Sequence, residues 1–486
     1  MERGFLAQCE QERLHLSGAI QDYGTLLAVA ASGRVSHAAA NIAQFLGAQP
    51  EDWIGRPLPA ELAAPLHDLP TEPGSRRFLA GSVDGVDGPL DLSIHRSTGG
   101  VCVLEFTPAD SRPRTTVRPL AWTPPFADDD ALIAARRTLL EDILASTSAQ
   151  RVMYYGFFDQ GDGEVLEEVR QGDNLGSYLG LRFPASDIPQ IARTLYLKNP
   201  CRLIADAQRE PVVLLGEQAH ALDLTWSDLR SVSPIHRVYL ANMGVVGALS
   251  FPVVVAGQLS ALISAHHHQV LQPARSVLET LAEGVKAFSL ALAAYQGQCR
   301  TRLIDGLIRR FDSTRAILQR HGDLHAAWPE IAPILMQEFQ ADGAMLGIGN
   351  NWTCSGRCLE PEACKSIDAF ILAQQDKLVA SFDSLSRQVP DFPCSEIAGV
   401  LALRLQITGR DQARVYLTRC EHIHEVAWGG NPDKPVEFHD GEFGIAPRRS
   451  FEKWVEKRLG YSRPWENETK LLGLKLRELL LSELRT

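Results

Sequence analysis

Three polar clusters in the middle of the chain contain residue types that bind anions and move protons. The first is Pro184-Ala185-Ser186-Asp187-Ile188-Pro189, the second runs from Arg230 through Ser233 and His236 to Tyr239, and the third is His266-His267-His268. Guanidinium groups and hydroxyls bind carboxylates, and imidazole titrates near neutral pH. Together the clusters suit a polar pocket for a large planar anion better than a plain hydrophobic core.

The segments around these clusters predict a sheet with helices against it. A helix is expected from Asp128 to Ser146, because acidic residues come first and apolar residues recur at intervals of three and four. Strands are expected at 152–158 and 164–170, and a hairpin of 245–256 and 258–266 turns at Gly257. Adjacent residues of a strand point to opposite faces, so the histidine triplet does not favour a metal site.

A thiol near the N-terminus is a further candidate for chemistry. Cys9 has the polar neighbours Gln8 and Glu10, whereas a buried structural cysteine would have apolar ones, so solvent should reach it. An inert thiol in a floppy arm is the alternative. The residues that follow predict strands at 25–30, 35–38, 90–95 and 100–108, and a short helix at 41–46.

Length and composition exclude several classes of function. A chain of 486 residues should form about two to four domains, and the four prolines of 112–125 indicate a linker. The net charge of −11 argues against nucleic acid and membrane partners. Without a membrane-spanning apolar run or a signal peptide, a cytoplasmic location is expected. The nine irregularly spaced cysteines are typical of reduced thiols rather than of a disulfide framework.

Apolar residues after the histidine triplet recur in a heptad pattern. Spacings of three and four alternate along Leu278, Leu281, Val285, Phe288, Leu292, Tyr295 and Cys299. The pattern favours a helical bundle at a parallel dimer interface, and the alternative is that the same residues cover the chain's own sheet. Leu303, Leu307 and Ile317 extend the pattern, which predicts one long helix into the next domain.

The last part of the chain predicts another mixed domain. Its expected elements are a helix at 326–339, strands at 344–348, 399–405 and 414–417, and a final helix at 468–485. Cys354, Cys358 and Cys364 lack the spacing of an ordinary zinc knuckle, so metal binding is not favoured.

One segment of this part has two periodicities. Its helical face would contain Phe451, Trp454, Val455 and Leu459, whereas Phe451, Lys453, Val455 and Lys457 alternate as in a strand. A segment with two nearly balanced conformations can switch between them when one contact changes.

Five motifs, in order, resemble those of the bacteriophytochromes. They are Cys9 followed by His15, Gly18-Ala19-Ile20-Gln21 and Gly24; Pro184 to Pro189; Ser233-Pro234-Ile235-His236; Trp428-Gly429-Gly430; and Pro447-Arg448-Arg449-Ser450-Phe451. Asp22 and Tyr23 depart from the usual first motif. The resemblance covers nearly the whole chain and implies the α+β photosensory core of that family, with PAS, GAF and PHY domains.

The resemblance also implies where these domains lie. The N-terminal arm and PAS domain would occupy residues 1–120, the GAF bilin-binding domain 128–299, and the PHY domain 300–486. The PHY domain would contain a tongue at about 422–460 and end in an output helix. In the family the arm passes through a GAF loop in a figure-of-eight knot, with the counterpart of Ile20 near its centre.

The cofactor implied by the resemblance is biliverdin IXα, a linear tetrapyrrole held to Cys9 by a thioether. Its binding site would consist of Met153, Tyr155, Phe183, Asp187, Ile188, Pro189, Tyr196, Arg202, Arg230, Ser233, His236, Tyr239, Ser250 and His266. In the family, counterparts of Tyr196, Arg202, Arg230, Ser233 and Ser250 hold the propionates. Ala248 replaces a serine that commonly assists there.

The remaining implied contacts concern the pyrrole rings. The main-chain carbonyl of the residue matching Asp187 accepts from the pyrrole N–H groups, the counterpart of His236 holds a water and stacks on the rings, and that of His266 bonds the D-ring carbonyl. Counterparts of Met153, Tyr155, Phe183 and Tyr239 form the wall around the D-ring.

A light-driven switch is the function that the resemblance implies. In the family, red or far-red light isomerises the C15=C16 bond, interconverts the Pr and Pfr states, and the tongue changes from hairpin to helix. The counterpart of Arg448 pairs with that of Asp187 in one state, and that of Ser450 replaces it in the other.

The implied partners are a second copy, bound through the GAF and PHY helices, and a C-terminal output domain such as a histidine kinase with its response regulator. No enzyme activity is expected of this chain, because it contains no nucleophile elbow, Walker loop or metal triad. The alternative function is a light-independent GAF module that binds another ligand or dimerises.

Overall fold

The computed structural model describes residues 12–109, 126–158, 161–172, 176–216, 222–373, 378–393, 395–405, 413–432 and 451–484. Cys9, the linker 112–125, Arg448 and Ser450 lie outside the described residues. The chain forms two compact units: residues up to 295 together with 427–454, and 296–426 together with 455 onward.

The first unit contains the predicted PAS and GAF elements. Its strands are β1 (Ala19–Ile20), β2 (Thr25–Val29), β3 (Val35–Ala39), β4 (Arg76–Gly85), β5 (Gly88–Arg96), β6 (Cys102–Pro108), β7 (Arg151–Phe157), β8 (Gly163–Arg170), β9 (Arg182–Phe183), β10 (Arg202–Ile204), β11 (Val212–Gly216), β12 (Gly247–Val255) and β13 (Gln258–His267). Its helices are α1 (Ile42–Leu46), α2 (Pro50–Trp53), α3 (Ala60–His67), α4 (Asp129–Thr147), α5 (Gln190–Tyr196), α6 (Pro234–Asn242) and the start of α7 (Arg275–Arg310). Short 3-10 turns occur at Leu14–Leu16, Thr98–Gly100 and Ala185–Asp187.

The second unit begins near the end of α7. Its helices are α8 (Asp312–His321), α9 (Leu324–Glu338), α10 (Pro361–Ala373), α11 (Leu385–Gln388) and α12 (Asn467–Leu484), and its strands are β14 (Gly343–Ile348), β15 (Asn351–Gly356), β16 (Val379–Phe382), β17 (Ile397–Leu405) and β18 (Ala413–Cys420). Two tongue strands, β19 (His424–Gly429) and β20 (Lys453–Arg458), cross between the units along the chain. Of the two periodicities near residue 451, the structure therefore shows the strand.

Three antiparallel sheets organise these elements. The strand orders are β1-β11-β3-β2-β6-β5-β4 in the PAS sheet, β10-β12-β13-β7-β8-β9-β19-β20 in the GAF sheet, and β15-β14-β18-β17-β16 in the second unit. One pair breaks the antiparallel rule, because β19 meets β9 in parallel where Trp428 pairs with Arg182. The predicted α+β class is confirmed, and so are the predicted strands and helices apart from the long helix through Ile317, with small shifts at their ends.

Local sequence explains the ends of these elements. The Asp128 carboxylate caps α4 by accepting from the Ala131 amide at 2.8 Å, as acidic residues do at helix N-termini. Between β12 and β13 the chain reverses through Ala256 and Gly257, which both have positive φ, at 50° and 76°. Two residues of positive φ make the turn that matches strand twist, and glycine adopts it without cost.

The N-terminal arm is held on both sides by the GAF segment that contains β10 and β11. β1 pairs with β11, Ile20 bridges to Arg230, and Ile20 is fully buried. The amide of Gln21 donates to the Leu229 carbonyl at 2.7 Å, and its side chain bonds the backbone of Leu203 and Ala205. These are the contacts that a threaded arm requires, and they join the PAS and GAF sheets.

Six of the seven heptad residues of α7, all but Cys299, face their own chain. Leu278, Leu281, Val285, Phe288, Leu292 and Tyr295 are each at most 8% exposed within a single chain. The Phe288 ring lies 5.8 Å from Phe126 and 6.1 Å from Tyr154 between centroids. The interpretation of this seam as a dimer interface is therefore wrong, and the alternative, that it covers the chain's own sheet, is correct.

Two other sequence predictions need correction. The predicted continuous helix through Ile317 is interrupted at Phe311, where α7 has ended and α8 has not begun. Cys354 and Cys358 form a disulfide, so the prediction of reduced thiols is wrong for this pair. Cys364 is buried in the hydrophobic core of the second unit beside Ile367.

We predict that Phe288→Ala destabilises the first unit without changing how the protein associates. Truncating a buried phenylalanine costs about 3–5 kcal/mol of unfolding free energy, whereas Leu290→Ala, at a side chain that is 59% exposed, should cost less than about 0.5 kcal/mol. Urea unfolding and analytical ultracentrifugation of both variants test this. A Phe288→Ala protein that keeps its stability but loses a dimer would contradict the correction above.

Candidate functional site

The register of the GAF sheet aligns three polar side chains and a methionine in a row across four strands. Arg202 of β10 pairs with Ser250 of β12, Ser250 pairs with Ser264 of β13, and Ser264 pairs with Met153 of β7. Directly paired residues of an antiparallel sheet share a face, and so do alternate residues along each strand. His266, two residues after Ser264, therefore lies on this face too.

A cavity lies between this face of the sheet and the segments that contain α5 and α6. It is lined by every described residue of the predicted site: Met153, Tyr155, Phe183, Asp187, Ile188, Pro189, Tyr196, Arg202, Arg230, Ser233, His236, Tyr239, Ser250 and His266. Ala248 also lines it. The structure thus brings together residues spread over more than one hundred positions of the sequence; the role of each remains a prediction.

Two arginines form the cationic end of the cavity. The Arg202 guanidinium donates to the carbonyls of Asp228, at 3.0 Å, and of Arg230 and Ser231. Arg230 is 7% exposed and donates to the carbonyls of Leu224 and Thr225, each at 3.1 Å. Burial, followed by repulsion from Arg202, lowers the pKa of Arg230 to about 9. At neutral pH both side chains remain cationic.

A carboxylate that acts electrostatically on both arginines is already paired with other cations. Asp228 forms ion pairs with Arg76 at 3.1 Å and with Arg275 at 2.8 Å. Among the described residues, neither Arg202 nor Arg230 has a carboxylate within ion-pair distance. A buried guanidinium and a half-buried one, both donating to carbonyl oxygens and neither in an ion pair among the described residues, favour an anionic ligand.

The opposite part of the cavity holds a histidine with one unused nitrogen. The Ser264 hydroxyl lies 3.0 Å from Nε2 of His266, and the buried Nδ1 of His266 has no hydrogen-bond partner. Burial, followed by the charge of Arg151, lowers the pKa of His266 to about 3, so the ring is neutral near pH 7. A buried imidazole nitrogen without a partner is costly, and a ligand that bonds it would recover that cost.

A second neutral histidine lies between the two ends. Burial, with a smaller contribution from Arg202, lowers the pKa of His236 to about 4. Its ring stacks on Tyr239 with centroids 5.9 Å apart, and the Tyr239 hydroxyl lies 3.5 Å from a carboxylate oxygen of Asp187. The imidazole, an aromatic ring and a carboxylate thus follow one another along the cavity wall.

The apolar wall joins the GAF sheet to the tongue. Met153, Tyr155, Val165, Leu181 and Phe183 form one buried cluster, against which the tongue residues Ala427 and Phe451 pack. The Phe451 ring meets Tyr239 edge-on at 5.1 Å. Gly429 is required here, because a Cβ atom on it would lie 2.4 Å from the Phe183 ring.

Sequence reasoning missed several residues of the cavity. Glu12 accepts from the Ser233 hydroxyl at 3.0 Å, and burial raises the pKa of its carboxyl. Ser264 supports His266, and strand alternation would have placed both on one face. Cys201 also lines the cavity as a buried thiol whose pKa burial raises to about 12. No local signal identifies Glu12 or Cys201, since distant contacts bring them to the site.

Two further features are absent from the described residues. No group of three or more His, Cys, Asp or Glu side chains in that part of the chain could hold a metal ion. No described helix is both long and apolar enough to cross a membrane.

Comparison with known proteins agrees with this architecture. Family models match a PAS fold at residues 9–109, a GAF domain at 131–290 and the phytochrome region at 312–485. A bacteriophytochrome of Pseudomonas aeruginosa is 31% identical over 97% of this chain, and cyanobacterial phytochrome B of Nostoc sp. is 29% identical over 98%. The chain spans 66% of the length of each of these two relatives, just under two thirds.

Solved structures give the same result. A bacteriophytochrome from R. palustris superimposes with a TM-score of 0.79 and 26% identity, covering 98% of this chain and 99% of that one. The photosensory core module of Stigmatella aurantiaca phytochrome gives a TM-score of 0.80 and 28% identity, covering 98% and 97%. Fold and cavity together define a sensory core of PAS, GAF and PHY domains. The chain belongs to the phytochrome family, as a photosensory core of the bacteriophytochrome type, which confirms the family predicted from sequence.

We predict that His266→Gln reduces the acid sensitivity of the ligand-free protein. With a folded-state pKa near 3 and an unfolded value near 6.5, the unfolded chain binds the proton first. This histidine therefore lowers stability as the pH falls below about 6.5, by about 2 kcal/mol between pH 7 and pH 5.

Urea unfolding at the two pH values measures this contribution. His266→Gln should lose about 2 kcal/mol less stability than the wild type on acidification. His268→Gln, at an exposed neighbouring histidine, should lose as much as the wild type. Equal pH dependence in both variants would show that His266 titrates normally in the folded protein.

Proposed function

We propose that this chain is a red/far-red photoreceptor core that binds biliverdin covalently through Cys9. One observation carries the proposal: a single cavity joins a pair of arginines, two neutral histidines and an aromatic wall that contacts the tongue. When bound, biliverdin would supply red-light absorption and isomerisation about C15=C16, which interconverts Pr and Pfr.

The residues present fit a linear tetrapyrrole with two propionates. Arg202 and Arg230 would hold the carboxylates, because neither has a carboxylate partner among the described residues and each keeps its charge at neutral pH. Tyr196, Ser233 and Ser250 line the same cavity and offer hydroxyls. The unpartnered Nδ1 of His266 would bond the D-ring carbonyl.

The histidines would hold or move protons without adding charge of their own. Both have pKa values lowered by burial, so in the ligand-free pocket each presents one N–H donor and one acceptor nitrogen. His236, stacked on Tyr239, would hold a water and relay a proton between the pyrrole nitrogens and that water. The main-chain carbonyl of Asp187 would accept from the same nitrogens.

Two cysteines compete for the attachment role. Cys201 lines the cavity, but burial raises the pKa of its thiol to about 12, which leaves almost no thiolate to react. Cys9 lies outside the described residues, three positions before Glu12, which itself lines the cavity. The chain is therefore short enough to bring the Cys9 thiol to the cavity entrance.

The tongue would convert the state of the pocket into a change of conformation. Within the first unit, the Gly430 amide donates to the Glu452 carbonyl at 2.9 Å, and the tongue side chain Phe451 packs on Tyr239. Arg448 would pair with Asp187 in one light state and be replaced by Ser450 in the other, while the tongue refolds from hairpin to helix.

The signal would pass to partners of the full-length protein. We infer a homodimer through exposed faces of the GAF and PHY helices, and a C-terminal output domain, such as a histidine kinase that acts on a response regulator. The seam from Leu278 to Tyr295 is not available for dimerisation, whereas Leu290 on the same helix is 59% exposed.

We predict that Cys9→Ser binds biliverdin without a covalent bond, whereas Cys201→Ser keeps the bond. The low reactivity of the buried Cys201 thiol is the physical reason. Denaturing electrophoresis followed by zinc-induced fluorescence detects the adduct. A fluorescent band in Cys9→Ser, or its loss in Cys201→Ser alone, would refute attachment at Cys9.

We predict that Asp187→Ala and Arg448→Ala each prevent completion of the photocycle, because each removes one partner of the pocket–tongue ion pair. Arg449→Ala changes the adjacent arginine and should behave as the wild type. Light-minus-dark difference spectra provide the measurement. If both variants give the difference spectrum of the wild type, the proposed coupling is wrong. If illumination leaves the spectrum of the wild-type protein unchanged, the light-independent GAF module is favoured instead.

A further inference from the structure

A buried carboxylate of the PAS sheet bonds directly to the GAF segment that carries Arg230. Glu105 of β6 is 2% exposed. It accepts from the Ser227 hydroxyl, from the Asp228 amide at 3.1 Å and from the Leu229 amide at 3.0 Å. Three consecutive residues of one domain are thus held by a single side chain of another.

The segment held by Glu105 fixes both arginines of the cavity. The carbonyls of Asp228 and Arg230 accept from Arg202, and the carbonyl of Leu229 accepts from the Gln21 amide. Arg230 itself follows directly after the three anchored residues. A shift of the backbone at 227–229 would therefore move the Arg230 guanidinium and remove acceptors from Arg202.

The surroundings of Glu105 show that its carboxylate interacts with residues 227–229 rather than with a cation. Arg76 and Arg275 are engaged by Asp228. His95 lies 4.0 Å from Glu105, but burial lowers the pKa of His95 to about 3, so the ring is neutral. Among the described residues, no arginine or lysine forms an ion pair with Glu105, and the one histidine near it is neutral. Hydrogen bonds from a hydroxyl and two backbone amides are what stabilise the buried carboxylate.

We propose that Glu105 is a positioning residue that sets the affinity of the cavity for the carboxylates of its ligand. It acts from the PAS domain by fixing residues 227–229, and through them Arg230 and Arg202. This inference rests on the proposed function, in which those carboxylates are the propionates of a bilin. Long-range anchoring of this kind gives the PAS domain a part in ligand binding although no residue of β2 to β6 lines the cavity.

Glu105→Gln is the decisive substitution. An amide has one acceptor oxygen, so its NH2 group would face either the Asp228 amide or the other two donors, and at least one hydrogen bond must be lost. Ser227→Ala removes only one of the three bonds and should act in the same direction with a smaller effect. Asp91→Asn is the matched control, because Asp91 is a buried carboxylate of the neighbouring strand β5 that bonds the Gly81 amide within the PAS domain.

The first measurement is amide hydrogen exchange of the ligand-free full chain. It is made at pH 8, above the pKa of about 7 to which burial, and then repulsion from Asp228, raise Glu105. Exchange of the amides of 228–230 should accelerate roughly tenfold in Glu105→Gln and stay unchanged in Asp91→Asn. Unchanged exchange in Glu105→Gln would overturn the proposal, whether or not the protein binds a bilin.

The second measurement compares biliverdin with its dimethyl ester, which lacks both carboxylates. Binding is followed by tryptophan fluorescence in the Cys9→Ser background. Glu105→Gln should raise the Kd for biliverdin roughly tenfold and the Kd for the ester by less than roughly twofold. Equal losses for both ligands would mean that Glu105 supports only the fold, which overturns the proposal.

Failure of the proposed function gives a different result. If the protein with Glu105 intact binds neither compound, the bilin site itself is wrong, and the exchange measurement alone decides whether Glu105 holds 227–229. Loss of biliverdin binding in Asp91→Asn as large as in Glu105→Gln would also count against a specific role.

Discussion

Two guanidinium groups, Arg230 buried and Arg202 half-buried, have no ion-pair partner among the described residues, and this is the constraint on which the structure depends. Moving a cation out of water costs several kcal/mol unless it gains an opposite charge or enough hydrogen bonds. Among the described residues, Arg202 and Arg230 donate to backbone carbonyls and form no ion pair, while Asp228 is shared by Arg76 and Arg275. The surrounding fold must therefore hold those carbonyls in place, and an anionic ligand would stabilise the folded state by its binding free energy.

Contacts from several parts of the first unit hold in place the carbonyls that accept from Arg202 and Arg230. The N-terminal arm passes beside Arg230, and the Gln21 side chain bonds the backbone of Leu203 and Ala205. The carboxylate of Glu105, in the PAS sheet, fixes the residues just before Arg230. PAS sheet, arm and GAF sheet thus contribute to one cationic end of one cavity. Because the PAS and GAF domains share these bonds, destabilising either domain should destabilise the other.

Periodicity in the sequence predicted the local elements and the face of each that is buried. Alternation along β12 and β13 places Ser250, Ser264 and His266 on one face, and the three-four spacing correctly defines a buried stripe on α7. Periodicity does not say what covers that stripe. The aromatic residues that do so, Phe126 and Tyr154, lie more than one hundred positions earlier, so the pattern alone does not distinguish the chain's own sheet from a second copy.

The same limit applies to the polar contacts of the site. The fourteen described residues predicted for the cavity came from family motifs, whereas Glu12 and Glu105 reach their partners across 221 and 124 positions of sequence. The sequence around a carboxylate in a strand does not show which distant backbone amides it will bond. Only the pairing of the arm with β11 and of the PAS sheet with the GAF segment determines those contacts.

The tongue illustrates why a segment of ambiguous periodicity needs tertiary contacts to fix its conformation. Phe451 lies on the apolar face in both the helical and the strand pattern, so its contact with Tyr239 does not by itself favour one of them. The strand seen here also gains the bond from Gly430 to Glu452 and the close approach of Gly429 to Phe183. A helix would lose these backbone contacts and gain its own internal hydrogen bonds. If the two conformations are as close in free energy as the proposed switch requires, a change of a few kcal/mol in the pocket around Tyr239 and Asp187 would be enough to reverse their order.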